Sequence, residues 1–153
     1  MTDPIQKTLT VPLTPDQAFD LFTTKIADWW PVETHSLSAS RQKTVPQKVW
    51  IEPRLGGQVL ETCADGETCP WGDITHWEPG KRLVLSWYVG RTPDHATIID
   101  VRFNQSDQGT RVDLTHSGFD VLAGEADAVS AGYDTGWDLV LGECFGKAAS
   151  KAA

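Results

Sequence analysis

Between residues 47 and 116 the sequence is cut into six short, mostly apolar runs, each closed by a turn signal, and this rhythm restricts the chain to an antiparallel sheet. The runs are Gln47 to Ile51, Gln58 to Cys63, Trp71 to Trp77, Arg82 to Tyr88, Ala96 to Asn104 and Thr110 to His116. Pro53 to Gly57, Ala64 to Glu67, Glu78 to Lys81, Gly90 to Asp94 and Ser106 to Gly109 separate them. None of these connections is long enough for the crossover that parallel strands need. Ahead of this train, Ile5, Lys7, Leu9, Val11 and Leu13 alternate with polar residues and predict one more strand.

Helices flank the strands. Thr14 offers a hydroxyl cap, Pro15 fills a position where a missing N–H costs nothing, and Gln17 completes a capping box. The helix that starts there buries Ala18, Phe19, Phe22 and Ile26, exposes Asp16, Asp20 and Lys25, and ends around Asp28. Residues 31–46 are polar and aperiodic, with room for a short helix from Thr34 to Arg41. Near the other end, Val129, Tyr133, Trp137, Val140, Cys144 and Ala148 recur at spacings of three and four and mark one face of a long helix. Gly132, Gly136, Gly142 and Gly146 each weaken it by about 1 kcal/mol relative to alanine, so packing must hold it, with a kink expected near Gly132 to Gly136.

A sheet of about seven strands needs a cover, and only the last helix is long enough to cross it. The order is strand, helix, short helix, six strands, long helix: an α+β domain spanning residues 1–153, a length that supports one core. Twenty-one acidic and 13 basic side chains give a net charge of −8, which argues against nucleic acid as a partner. No run approaches the roughly 20 apolar residues of a membrane span, and the start lacks the basic head of a secretion signal. The chain therefore reads as soluble and cytoplasmic, without membrane insertion. Cys63, Cys69 and Cys144 read as reduced thiols. CADGETC is not a CxxC pair, and His35, His76, His95 and His116 are scattered singly, so neither a metal nor a cofactor is expected.

An ordered set of local motifs resembles the START-like, helix-grip (SRPBCC, Bet v 1-like) superfamily, in the branch named for homologues of the activator of the heat-shock chaperone ATPase. The set comprises Thr14-Pro15-Asp16-Gln17-Ala18-Phe19, Trp29-Trp30-Pro31, Glu52-Pro53-Arg54-Leu55-Gly56-Gly57, Trp71-Gly72-Asp73-Ile74 and Glu78-Pro79-Gly80-Lys81-Arg82-Leu83. Leu85-Ser86-Trp87, Gly109-Thr110-Arg111-Val112, Leu114-Thr115-His116-Ser117-Gly118-Phe119 and Gly136-Trp137 complete it. The resemblance implies a curved sheet gripping the terminal helix, with a cavity between them that in relatives holds an apolar or aromatic molecule. The superfamily hosts carriers, receptors, cyclases and chaperone regulators, so the fold alone names no reaction. The branch implies a stress-response setting; the chain has no room for the extra N-terminal domain of the full chaperone activator, which points away from chaperone-ATPase work itself.

Alternation and the resemblance nominate the cavity wall. Thr97, Ile99, Val101 and Phe103 share one strand face, and Val112, Leu114 and His116 share another. Trp30, Trp71, Trp87 and Phe119 join them, with Tyr133, Trp137, Val140 and Leu141 from the helix. Seven tryptophans in one small domain read either as core filler or as rigid walls of a pocket. His116 reads as a hydrogen-bonded core histidine or as a pocket base. Glu61 shares a face with Val59 and Cys63; inward, desolvation would raise its pKa and make it a proton donor, and outward it is an ordinary solvated acid. Arg54 to Gly57 reads as a hairpin turn rather than a phosphate cradle, because no helix and no Lys-Ser/Thr follows. Gly132-Tyr-Asp-Thr-Gly136 lets the helix approach the sheet or a ligand.

Three functions compete. The first is binding of a small hydrophobic or aromatic molecule. The second is a metal-free cyclase- or hydratase-like enzyme using His116 or Glu61. The third is a protein-interaction module that regulates a chaperone or forms a homodimer through aromatics near Trp29 and Trp30.

Overall fold

The capping box at Thr14 forms as its spacing predicts: Gln17 N donates to Thr14 Oγ1 at 3.2 Å, and Thr14 N donates to Gln17 Oε1 at 3.0 Å. In the computed structural model, which describes residues 2–153, this box joins strand β1 (Ile5–Val11) to helix α1 (Pro15–Phe22). The helix ends six residues earlier than periodicity predicts. Thr23 Oγ1 donates back to Phe19 O at 2.7 Å, and Thr24 Oγ1 does the same to Asp20 O, a competition that bends helices. A 3₁₀ turn over Ile26–Asp28 and a single π-helical turn over Ser38–Gln42 follow.

The six predicted runs become β2 (Lys48–Ile51), β3 (Gln58–Thr62), β4 (Thr68–Glu78), β5 (Arg82–Trp87), β6 (Thr97–Ser106) and β7 (Gly109–Ser117). All pairs are antiparallel, and the sheet order is β1-β7-β6-β5-β4-β3-β2. The meander from β2 to β7 follows from its short connections. The return of β1 to the far edge, with Ile5 opposite His116 and Val11 opposite Thr110, does not. Register shifts between Val59 and Leu60 and between Ile74 and His76 bend and twist the strands there, as bulges do. The turn between β2 and β3 needs its glycines: Gly56 has φ +80°, and a Cβ on Gly57 would stand 2.5 Å from Glu52 O.

Residues 126–152 form one continuous rod in three parts: α2 (Ala126–Trp137), a π-helical stretch (Asp138–Phe145) and α3 (Gly146–Ala152). The irregularity thus lies beyond the Gly132 to Gly136 segment where a kink is expected. Its cause is geometric. Side chains spaced by four drift about 40° per step around an α-helix, and wider i→i+5 turns cancel that drift. Trp137, Leu141, Phe145 and Ala149 therefore stay against the sheet, and the expected Cys144 and Ala148 move to its border.

Apolar and aromatic side chains of rod, α1 and sheet pack into one core. Phe145 packs on Phe22 and Trp29 at centroid distances of 5.4 and 5.0 Å, and Phe22 reaches Phe103 at 6.0 Å. The Lys7 stem runs beneath the rod and delivers its ammonium to Asp134 and Asp138, both at 2.9 Å. The three cysteines are free thiols. No helix among the described residues is long and apolar enough to cross a membrane.

Candidate functional site

Four indoles meet where the segment after α1 crosses the mouth of the grip. Trp30 lies 5.3 Å from Trp71 of β4, 5.9 Å from Trp87 of β5 and 6.1 Å from Trp137 of α2, centroid to centroid. Each of the four indole N–H groups is bonded. Trp30 Nε1 donates to His35 O at 2.7 Å, Trp71 Nε1 to Glu61 Oε1, Trp87 Nε1 to the Tyr133 hydroxyl, and Trp137 Nε1 to His116 Nδ1. With every polar edge occupied, the rings present apolar faces outward.

Two clefts flank Trp30. One of about 230 Å³ separates Trp30 and His35 from Val129, Tyr133, Trp137 and Val140 of the rod. The other, about 220 Å³, runs from Thr34 and Ser36 across Trp71 and Trp87 to Tyr133. Trp30, His35 and Tyr133 line both and form the wall between them. Gly132 and Gly136 floor the first: nothing lies within 4 Å of a Cβ built on Gly132, and the nearest atom at Gly136 is His35 Nε2 at 3.8 Å. These glycines open a surface cleft instead of drawing rod and sheet together.

Of the residues nominated for a cavity wall, Trp30, Trp71, Trp87, Tyr133, Trp137 and Val140 line the clefts. Ile99, Val101, Phe103, Phe119 and Leu141 are buried in packed interior away from both. His116 is interior too, fully enclosed between Phe119 and Tyr133, each 4.6 Å away by centroid. Its Nδ1 accepts from Trp137 Nε1 at 3.1 Å, which leaves Nε2 to donate to Thr97 Oγ1 at 2.7 Å; Thr97 Oγ1 in turn donates to Trp87 O. Burial pushes the imidazole down to about 3. A neutral ring with both nitrogens engaged pins α2 to β6 and β7 and has no lone pair for a pocket base.

Glu61 points inward and is fully buried, but it is not the proton donor that burial alone would make it. Oε1 accepts from Leu37 N at 2.7 Å and Trp71 Nε1 at 3.0 Å; Oε2 accepts from Ser38 N at 2.9 Å and Ser38 Oγ at 2.6 Å. Desolvation is the largest single influence and pushes the pKa up, yet the hydrogen bonds from Ser38, Leu37 and Trp71 together outweigh it and hold the group below its usual range. The carboxylate is thus a buried anion satisfied by donors alone. It fastens Leu37 and Ser38, and with them the segment carrying Trp30 and His35, to β3 and β4.

His35, which no sequence pattern singled out, is the titratable group of the polar segment that reaches both clefts. Its Nδ1 lies 2.7 Å from Thr34 Oγ1, and its Nε2 has no hydrogen-bond partner among the described residues. Partial burial lowers its pKa, with the charge of Glu33 pulling the other way. Its signal was tertiary: a histidine in an aperiodic loop, placed opposite two glycines a hundred residues on. Among the described residues, no group of three or more His, Cys, Asp or Glu side chains is placed to hold a metal ion.

The family model described as Activator of Hsp90 ATPase homolog 1-like protein matches residues 12–143. Among the curated proteins searched, none matches the chain. Solved structures that share the fold include protein MLL2253 from Mesorhizobium loti, with 14% identity over 94% of each chain and a TM-score of 0.67. The Aha1 dimer from Colwellia psychrerythraea is similar at 17% identity, covering 92% of this chain and 91% of that one, with a TM-score of 0.65. The anthrahydroquino-gamma-pyrone synthase Txn09, solved as a complex, is 29% identical over 95% of this chain and 96% of its own, with a TM-score of 0.65.

Proposed function

The chain belongs to the Activator of Hsp90 ATPase homolog 1-like family, and on that footing we propose that it binds a small aromatic or apolar molecule in the clefts flanking Trp30. The observation that carries this reading is the cleft floored by Gly132 and Gly136: an apolar, aromatic-walled hollow in which two helical glycines leave room that nothing in the chain fills. Helix stability argues for leucine or alanine there, so open space is what the glycines provide. Each cleft alone is smaller than the roughly 300–1,000 Å³ of a drug-sized site.

Intrinsic tryptophan emission tests the proposal, because indoles line both clefts. One- to three-ring aromatics are expected to shift the emission saturably. Gly132→Leu, whose side chain enters open space and improves the helix, is expected to remove the response while leaving the protein folded. An emission spectrum indifferent to every compound, or unchanged binding in Gly132→Leu, overturns the reading.

A second reading, a metal-free cyclase-like enzyme, is favoured by the likeness to the pyrone synthase. Its acid and base would be Tyr133 and His35, the titratable side chains common to both clefts, and not the sealed His116 and Glu61. Recovery of a bound aromatic in chemically altered form would distinguish turnover from simple binding.

A further inference from the structure

We infer that the clefts select an aromatic molecule carrying an acidic hydroxyl, a phenol or naphthol, and that His35 is the residue that recognises it. This rests on the clefts being the binding site proposed above and adds what the ligand must offer. The walls of the cleft floored by Gly132 and Gly136 are indole, phenol ring and aliphatic surface, which fit a flat ring system without specifying any polar group on it. His35 Nε2 is the exception, lying over Gly136 on the floor of the cleft with no protein partner among the described residues.

Thr34 occupies the other nitrogen. Its hydroxyl oxygen lies 2.7 Å from His35 Nδ1 and 3.4 Å from Pro31 O. Where the hydroxyl accepts from Nδ1–H, Nε2 faces the cleft with a lone pair; where it donates to Nδ1, Nε2 faces the cleft with its proton. Burial keeps the ring neutral near pH 7, against the opposing charge of Glu33. A phenolic hydroxyl serves either form of a neutral imidazole, donating to the lone pair or accepting from the N–H, whereas a plain hydrocarbon offers neither and an aromatic ether only a weak, hindered acceptor. With a pKa of about 10, it keeps its proton opposite so weak a base. An apolar cavity of about 150 Å³ takes benzene, so the 230 Å³ cleft has room for a second fused ring.

The test is calorimetric titration with two probes of nearly equal shape, 1-naphthol and 1-methoxynaphthalene. Wild type is expected to bind 1-naphthol about fivefold more tightly, the worth of one ordinary hydrogen bond. His35→Phe is expected to bind both probes alike, retaining the affinity for 1-methoxynaphthalene. Thr34→Val, which removes the hydroxyl that holds Nδ1 and so frees the ring to turn Nε2 away from the cleft, is expected to shrink the preference and serves if His35→Phe does not fold. Equal binding of the two probes by wild type, or a preference that survives both substitutions, overturns the role of His35 while leaving the cleft as a binding site. Failure of wild type to bind either probe overturns both.

Discussion

Replacing Glu61 by glutamine exchanges a carboxylate for an amide of the same shape in a site built to hold an anion. Oε1 now accepts from Leu37 N and Trp71 Nε1, and Oε2 from Ser38 N, Ser38 Oγ and, at 3.6 Å, Cys63 Sγ. In the variant the amide oxygen keeps Leu37 N and Trp71 Nε1, and the NH₂ group faces Ser38, whose hydroxyl rotates to accept from it while Ser38 N loses its acceptor. One buried backbone donor left unpaired costs about 2 kcal/mol. In a chain of this length that lowers the melting temperature by roughly 6 °C. The pH dependence has a fixed sign. A carboxyl held below its ordinary value of 4.5 adds stability above that pH and loses it as the pH falls through the folded-state value. Urea unfolding from pH 7 to pH 3 should therefore show a wide gap between wild type and Glu61→Gln at pH 7 that narrows below 4.5, with m unchanged. Because the same carboxylate fastens the segment bearing Trp30 and His35, the variant should also bind aromatic probes more weakly. A loss under about 1 kcal/mol at pH 7, or a gap of constant width across the range, refutes the assignment of those hydrogen bonds.

His116→Gln keeps one acceptor for Trp137 Nε1 and one donor for Thr97, so it should cost only about 1 kcal/mol at pH 7. Between the ordinary histidine value of 6.5 and the folded value of about 3, the unfolded chain binds a proton that the folded chain does not. Wild type should lose about 1.4 kcal/mol per pH unit in that window, and the variant's curve should be flatter; equal slopes would sink the buried-neutral reading. Trp137→Phe removes the indole proton from His116 Nδ1 and leaves a fully buried acceptor alone, which should cost about 1–3 kcal/mol. Nitrogen NMR of the imidazole, expected to report loss of the single Nε2–H tautomer in that variant, checks the mechanism as well as the magnitude.

The features legible in the sequence are those written by neighbours in the chain. The capping box needs residues three apart, strands show in alternation, and tight turns show in Gly and Pro, so the seven strands, the first helix and the terminal rod are all foreseen to within a few residues, except where Thr23 ends α1 early. What pairs with β1, which way Glu61 faces and where the terminal rod widens depend on partners far away. The strand QVLETC is apolar on both faces, and the donors that make an inward Glu61 tolerable come from 23 and 24 residues upstream and, for Trp71, from ten residues downstream. The aromatic lining of the clefts was legible because Trp30, Trp87, Tyr133 and Trp137 stand in recognisable motifs. The placement of those clefts at the mouth, and the role of His35 in them, depended on how an aperiodic loop folds back over the rod.

The π-helical stretch has a consequence for how this chain tolerates insertions and deletions. It works as a phase corrector, absorbing the mismatch between a four-residue repeat and the pitch of an ordinary helix. Deleting one residue between Asp138 and Phe145 would turn everything downstream back by about 100°, but relaxing the stretch to a regular helix returns roughly 80° of it, two steps of about 40°. Phe145 and Ala149 would therefore stay against the sheet, and the cleft residues upstream would keep their orientation. The rod can thus lose a residue at this one place without losing its footing.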